Sequence, residues 1–207
     1  MPPAAPKRAY TRLENDARRA QLVALGARLF TEHAFDEISM AAIAREAGIS
    51  KALLYHYFPG KREFFAATLA EGAEELRRAV EPDPGVPPAQ ALVASLGAYL
   101  AWVEEHRDSY AKLIRSVATV PEARELVEQV RATTAARILD GLAAASGTAA
   151  PPAARIAVNG WLWFLDGAIL DWLEADDVSR DQLLGLVVGT LLGALTAAGA
   201  GGLVPTA

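Results

Sequence analysis

The chain is 207 residues long, 52% hydrophobic, and carries a formal net charge of -5. That supplies enough apolar side chain for one large or two modest globular domains and excludes a disordered chain. The absence of cysteine excludes disulfides, thiolate metal sites and a cysteine nucleophile. It fits a reducing, cytoplasmic setting, as does an N-terminus with no apolar stretch after its basic residues.

Residues 1 to 12 are rich in proline and alanine and predict a disordered arm. From about Glu14 to His33 the residues Ala20, Val23, Ala24, Ala27 and Phe30 recur at three and four, predicting one amphipathic helix, with Phe35 and Ile38 as core contacts beyond it. Ser39 then reads as an N-cap for a short helix with Ile43, Ala44 and Ala47 inward, which Gly48 ends. Ile49 plugs the turn, and Ser50 caps a second helix whose inward residues are Leu54 and Phe58. That is helix-turn-helix spacing, and it leaves Lys51, Ala52, Leu53, Tyr55, His56 and Tyr57 outward at the end that enters a DNA major groove. Pro59 and Gly60 stop this helix. Lys61 opens the next, where its ammonium and nearby backbone N-H groups are expected to hold a phosphate.

The run AGISKALLYHYFPGKREFF, preceded by ISMAAIARE, resembles the DNA-binding domain of the TetR family of bacterial transcriptional regulators over roughly fifty positions. The resemblance implies an all-α dimer. Three N-terminal helices bind a palindromic double-stranded operator, and a larger C-terminal domain dimerises and binds a small molecule that releases the DNA. Position by position it implies DNA contacts from Ser39, Met40 and Ala41, and from Lys51, Ala52, Leu53, Tyr55, His56, Tyr57 and Lys61. The family often has a small or hydroxylated residue where Leu53 stands, so contact with a thymine methyl replaces hydrogen bonding there. It commonly has glycine where Ala34 stands, and a positive φ at Ala34 would cost up to about 1 kcal/mol.

Charge is divided unevenly. Residues 1 to 62 hold ten Lys and Arg against six Asp and Glu, a balance of +4, while the remainder holds ten against nineteen, or -9. The basic end is the one with the helix-turn-helix. A solvated face accounts for a modest excess equally well.

After Lys61 the residues Phe64, Phe65, Thr68, Leu69, Gly72, Leu76 and Val80 predict a connecting helix over 61–81, a lever between two reading heads. Pro82, Pro84, Pro87 and Pro88 mark a boundary. Helices follow from Ala89 to Arg107, from Asp108 as a cap through Tyr110, Leu113, Ile114 and Val117, and from Pro121 to about Ala145. The segment SGTAAPP breaks the pattern. From Ala153 to about Ala175 a helix is apolar almost all round, so a partner chain is expected to cover part of it, with Trp161, Leu165 and Trp172 at the interface. In the last helix Gly185, Gly189 and Gly193 form a smooth stripe that suits close approach of a second copy's helix. The uncharged run from Leu183 onward also permits a membrane anchor. Its alanine and glycine content and the lack of positive or aromatic flanks favour a soluble dimer helix instead.

The chain thus predicts a helix-turn-helix domain over 13–60, the connecting helix, and a C-terminal helical ligand-binding and dimerisation domain over 89–200. An enzyme is disfavoured: His33, His56 and His106 have no ligand neighbour at i+4, no phosphate loop or nucleophile elbow occurs, and no metal or cofactor is expected. An apolar or amphipathic ligand site is expected among Tyr99, Trp102, Tyr110, Leu113 and Trp163, with Arg115 and Asp166 as polar anchors, although a ring alone is more often core or interface and the two charged residues fit surface or paired roles equally well. A dimeric repressor is the leading reading. A ligand-independent regulator or an activator is the alternative, and the acidic total charge argues against a non-specific architectural DNA protein.

Overall fold

The structure is a computed structural model in which residues 7–83 and 85–201 are described. These residues form nine α-helices and one short 3-10 turn, with no strand among them. The chain divides into two compact units between Gly72 and Ala73.

The first unit comprises α1 (Lys7–Glu32), the 3-10 turn (Phe35–Glu37), α2 (Met40–Glu46), α3 (Lys51–Tyr57) and the opening turns of α4 (Lys61–Ala79). Helix α1 begins at Lys7, so residues 7 to 12 are helical where an arm was expected; the rest of that arm lies outside the described residues. Its inward face is Leu22, Val23 and Leu29, while Ala20, Ala24 and Ala27 are exposed. Leucine buries more apolar area than alanine, and that decides which side of the helix turns in. The face packs on Ile43, Leu54, Phe58 and Phe64, all nearly or wholly buried. Phe58 and Phe64 meet edge to face at 4.9 Å, and Phe30 and Phe65 do so at 4.7 Å.

The second unit holds α5 (Pro88–Glu105), α6 (Arg107–Ser116), α7 (Pro121–Ser146), α8 (Pro152–Ala175) and α9 (Arg180–Ala197). Proline occupies the first position of α5, α7 and α8, where a missing N-H is harmless. Gly147 with φ of 68° ends α7 and Asp176 with φ of 51° ends α8, each in the left-handed cap conformation. The N-cap of α6 is His106, with Asp108 in its first turn and not at the cap.

Helix α8 is the centre of this unit, packed against α6, α7 and α9. Trp161, Leu165 and Trp172 are therefore buried within the protomer's own core, and not at a surface a second copy can reach. The expected interface role of these three residues is overturned because neighbouring helices of the same chain already cover that face. Trp161 Nε1 donates to the Val187 carbonyl on α9 at 2.8 Å, and Trp172 Nε1 donates to the Val178 carbonyl at 2.7 Å, so both indoles are satisfied internally. Gly185, Gly189 and Gly193 are exposed, with nothing within 4 Å of where a Cβ would stand. Among the described residues no helix is long and apolar enough to cross a membrane.

Candidate functional site

Local caps build the helix-turn-helix. Ser39 is extended (φ -112°, ψ 155°) and its Oγ accepts from the Ala42 N-H at 3.2 Å, which opens α2. Gly48 has φ of 65°, a conformation L side chains seldom adopt, and this lets the Ile49 N-H reach back to the Ala44 carbonyl at 3.0 Å. Ser50 Oγ then accepts from the Leu53 N-H at 3.1 Å and opens α3. Leu54 and Phe58 anchor α3 to the core at 0% and 2% exposure.

What remains outward is a compact set. Lys51, Ala52, Leu53, Tyr55 and His56 are exposed, with Lys51 Nζ 5.7 Å from the Tyr55 ring centre. Tyr57 is half-buried, packs its ring edge on against His56, and donates its hydroxyl to Asn15 Oδ1 on α1 at 3.2 Å. Such a surface offers an ammonium for phosphate, a leucine for a thymine methyl and a phenol for a phosphate or base edge. Ser39 and Ala41 are exposed beside it.

Two residues expected at this surface are placed elsewhere. Met40 is 6% exposed and belongs to the core, because the first turn of α2 directs it inward against the same cluster as Ile43. Lys61 turns its ammonium inward. Nζ donates to the Phe35 carbonyl at 2.8 Å and the Ile38 carbonyl at 3.0 Å, and sits 4.3 Å from the Phe35 ring centre. It braces the segment leading into α2, and two of its three donors are committed there. Ala34 has φ of -68°, so no left-handed strain arises where a glycine was anticipated; its N-H is taken by Glu37 Oε2 at 2.8 Å.

The second unit carries a part-buried polar chain. Tyr110 donates its hydroxyl to Asp166 Oδ1 at 3.0 Å, and Arg131 donates from Nε to Asp166 Oδ2 at 2.9 Å, with a second bond from Nη2 to the same oxygen. The Tyr99 and Tyr110 hydroxyls lie 2.8 Å apart. Tyr110 has one phenolic hydrogen and spends it on the carboxylate, so Tyr99 is the donor in that pair. Burial pushes both phenols above the ordinary tyrosine range, helped by the Asp166 charge, and both are neutral near neutral pH.

This cluster brings together Tyr99, Tyr110 and Asp166, three of the residues expected at a ligand site, and leaves the other four outside it. Arg115 is largely exposed and pairs with Glu174 at 3.1 Å, outside the cluster. Trp163 is 64% exposed, covered on one face by the Arg131 guanidinium at 3.8 Å, so it is an outer-face residue and no pocket lining. Leu113 and Trp102 are half-buried. Arg131 is the member of this cluster that the sequence does not single out. Its signal was its register, four residues after buried Val127 and four before buried Ala135, where a charge must find a partner.

Residues 22–68 match the family model of bacterial regulatory proteins, tetR family, and residues 88–192 match that of the tetracyclin repressor-like C-terminal domain. The HTH-type transcriptional activator FasR of Mycolicibacterium smegmatis is 28% identical over 179 residues, covering 84% of this chain and 80% of that protein. A tetR-family transcriptional regulator from Streptomyces coelicolor is similar in structure with a TM-score of 0.76 and 28% identity, over 91% of this chain and 87% of the other. The flavonoid-responsive regulator FrrA is similar with a TM-score of 0.65 and 25% identity, over 88% and 97%.

Proposed function

Because this chain belongs to the tetR family, a transcriptional regulator with a DNA-binding helix-turn-helix and not an enzyme, we propose that it works in the cytoplasm as a homodimer that holds a palindromic operator and lets go when a small apolar or amphipathic ligand enters its C-terminal unit. The observation that carries this reading is α3 itself. Its cap and two core anchors are used internally, while Lys51, Leu53, Tyr55 and His56 stand exposed, Lys51 against the Tyr55 ring and His56 against the Tyr57 ring of the same helix. The +4 balance of residues 1 to 62 supports phosphate contact at the same end.

Dimerisation is supported by the outer faces of α8 and α9. Ile156, Trp163 and Leu186 are exposed at 65%, 64% and 55%, and the open stripe Gly185, Gly189 and Gly193 permits close helix approach. Large apolar side chains beside a smooth stripe favour association with a second copy. Helix α4 carries residues from both sides of the division of the chain, which supports its reading as a lever between ligand binding and the reading head.

Repression by occupying a promoter is the primary reading. Activation is the second, favoured by the similarity to a relative named as an activator. Footprinting on fragments flanking the protein's own gene tests operator binding, with Tyr55→Ala as the control: protection lost in the variant, with the dimer intact, is the expected result. Equal protection by both proteins refutes the assignment of α3. Transcription in vitro from the protected promoter falls on adding a repressor and rises on adding an activator.

A further inference from the structure

We infer that the ligand of the C-terminal unit is uncharged and presents an acceptor oxygen, as an ester, ketone or amide carbonyl does, to the indole N-H of Trp102. The inference rests on the ligand-responsive reading above and narrows it to a chemical class.

Trp102 Nε1 is closed off from solvent and has no hydrogen-bond partner. Buried indole donors almost always find an acceptor, and one left alone inside a protein calls for an explanation. The other two indoles of this unit that are buried, those of Trp161 and Trp172, each have a carbonyl partner. Trp102 differs, although it is fixed in place. Its ring stacks on His106 with centroids 4.2 Å apart, and the His106 Nδ1 group is 2.8 Å from its carbonyl oxygen. The indole is held with its donor free, packed against the buried apolar cluster of this unit.

One turn earlier on α5, Tyr99 donates to Tyr110, which leaves the lone pairs of the Tyr99 oxygen with one more place for a donor. A free donor and a free acceptor therefore stand three residues apart on the same helix, where side chains are neighbours. A hydroxyl or amide N-H on the ligand would add a second bond at Tyr99; the carbonyl is the required part.

Charge excludes ionic ligands. The only guanidinium in the polar chain, Arg131, is already neutralised by Asp166, and the two side chains are 14% and 13% exposed. His106, beside Trp102, has Glu75 Oε1 3.6 Å from its Nε2. In that polar chain the guanidinium and the carboxylate are spent on each other, so an ionic ligand placed against it would be buried without a counter-charge.

The test uses the full chain and a series with one alkyl body: decane, methyl decanoate, 2-undecanone, decanoate and decylammonium. Calorimetric titration is expected to rank the ester and ketone roughly tenfold tighter than the alkane, with both ions weakest. In W102F the alkane affinity holds and the carbonyl advantage disappears. In the wild type with 15N-labelled tryptophan, one indole N-H resonance shifts with the ester and not with the alkane, a readout that does not depend on the variant folding. A carboxylate that binds more tightly than its ester, a carbonyl advantage that survives in W102F, or no binding by any member overturns the inference. Operator release is measured separately by mobility shift. Carbonyl preference without release leaves the inference standing and removes the ligand-responsive reading, whereas release by an ion alone keeps that reading and removes the inference.

Discussion

Arg131 on α7 and Asp166 on α8 are joined by two bonds to one carboxylate oxygen, with neither side chain more than 14% exposed. Removing one partner strands the other charge away from water, which is costlier than the pair is beneficial. Asp166→Ala is therefore expected to lower stability by roughly 2–4 kcal/mol, and the double change Arg131→Met with Asp166→Leu by less than either single change. Urea unfolding of the four proteins gives the cycle. Additive losses in the double variant would show that the two side chains act independently.

Lys51 and Lys61 separate by salt dependence. Lys51 is exposed at the tip of α3, whereas two of the three Lys61 donors are bound to the Phe35 and Ile38 carbonyls. Each phosphate contact adds about 0.9 to the slope of log affinity against log salt. Lys51→Ala is expected to reduce that slope by about 1. Lys61→Ala is expected to keep the slope and to lower thermal stability by about 1–2 kcal/mol through two orphaned carbonyls and a lost contact with the Phe35 ring. An equal reduction of slope in both variants would return Lys61 to the DNA surface.

Gly26 reports on the packing of α1 against α4. A Cβ there would stand 2.8 and 2.9 Å from the Phe64 ring, and closer still to Thr68 Oγ1, whose hydroxyl is bonded to the Phe64 carbonyl. Alanine gains about 1 kcal/mol in helix propensity. Overpacking of a buried ring typically costs about 1–3 kcal/mol. Gly26→Ala is accordingly expected to destabilise by about 1 kcal/mol, seen as a lower Tm in the full chain. A raised Tm would mean that Phe64 moves aside freely.

These comparisons also mark what the sequence could disclose. Ser39, Gly48 and Ser50 announced the helix-turn-helix because caps and a left-handed turn act within four residues, so their signal is local. Lys61 was misread because its partners lie 26 and 23 residues upstream, and nothing near Lys61 points to them. Trp161 and Trp172 followed the same rule. An all-round apolar helix says that several faces are covered, not by which chain, and here α9 together with α6 and α7 does it. Arg131 stood on an inward register but needed Asp166, 35 residues away, to make it a partner and not an error.

Gly189 separates dimerisation from folding. Outside its own stretch of helix no heavy atom of the protomer lies within 4 Å of its notional Cβ, so a side chain there starts out into open space. Gly189→Leu is expected to stabilise α9 by about 1 kcal/mol through helix propensity. If the stripe abuts a second copy, the same side chain forces the helices apart, and the dimer dissociation constant rises at least about tenfold. Sedimentation equilibrium and circular dichroism on one sample read the two effects together. A variant that is more helical and still fully dimeric would place the interface elsewhere.

Tyr99 and Tyr110 set an alkaline limit on the second unit. Burial holds both phenols above the ordinary value near about 10, and the Asp166 carboxylate adds to it. Above that value the unfolded chain loses protons that the folded chain keeps. Stability from these groups is therefore complete below about pH 10 and declines as pH rises toward their folded values. In a tyrosinate absorbance titration, two of the five tyrosines are expected to ionise only as the helical signal collapses. Tyr99→Phe should remove one unit of that delayed amplitude while keeping the Tyr110 bond to Asp166, and it should flatten the alkaline loss of stability. Five tyrosines ionising together near about pH 10 in a fully helical protein would show that the polar chain is open to solvent.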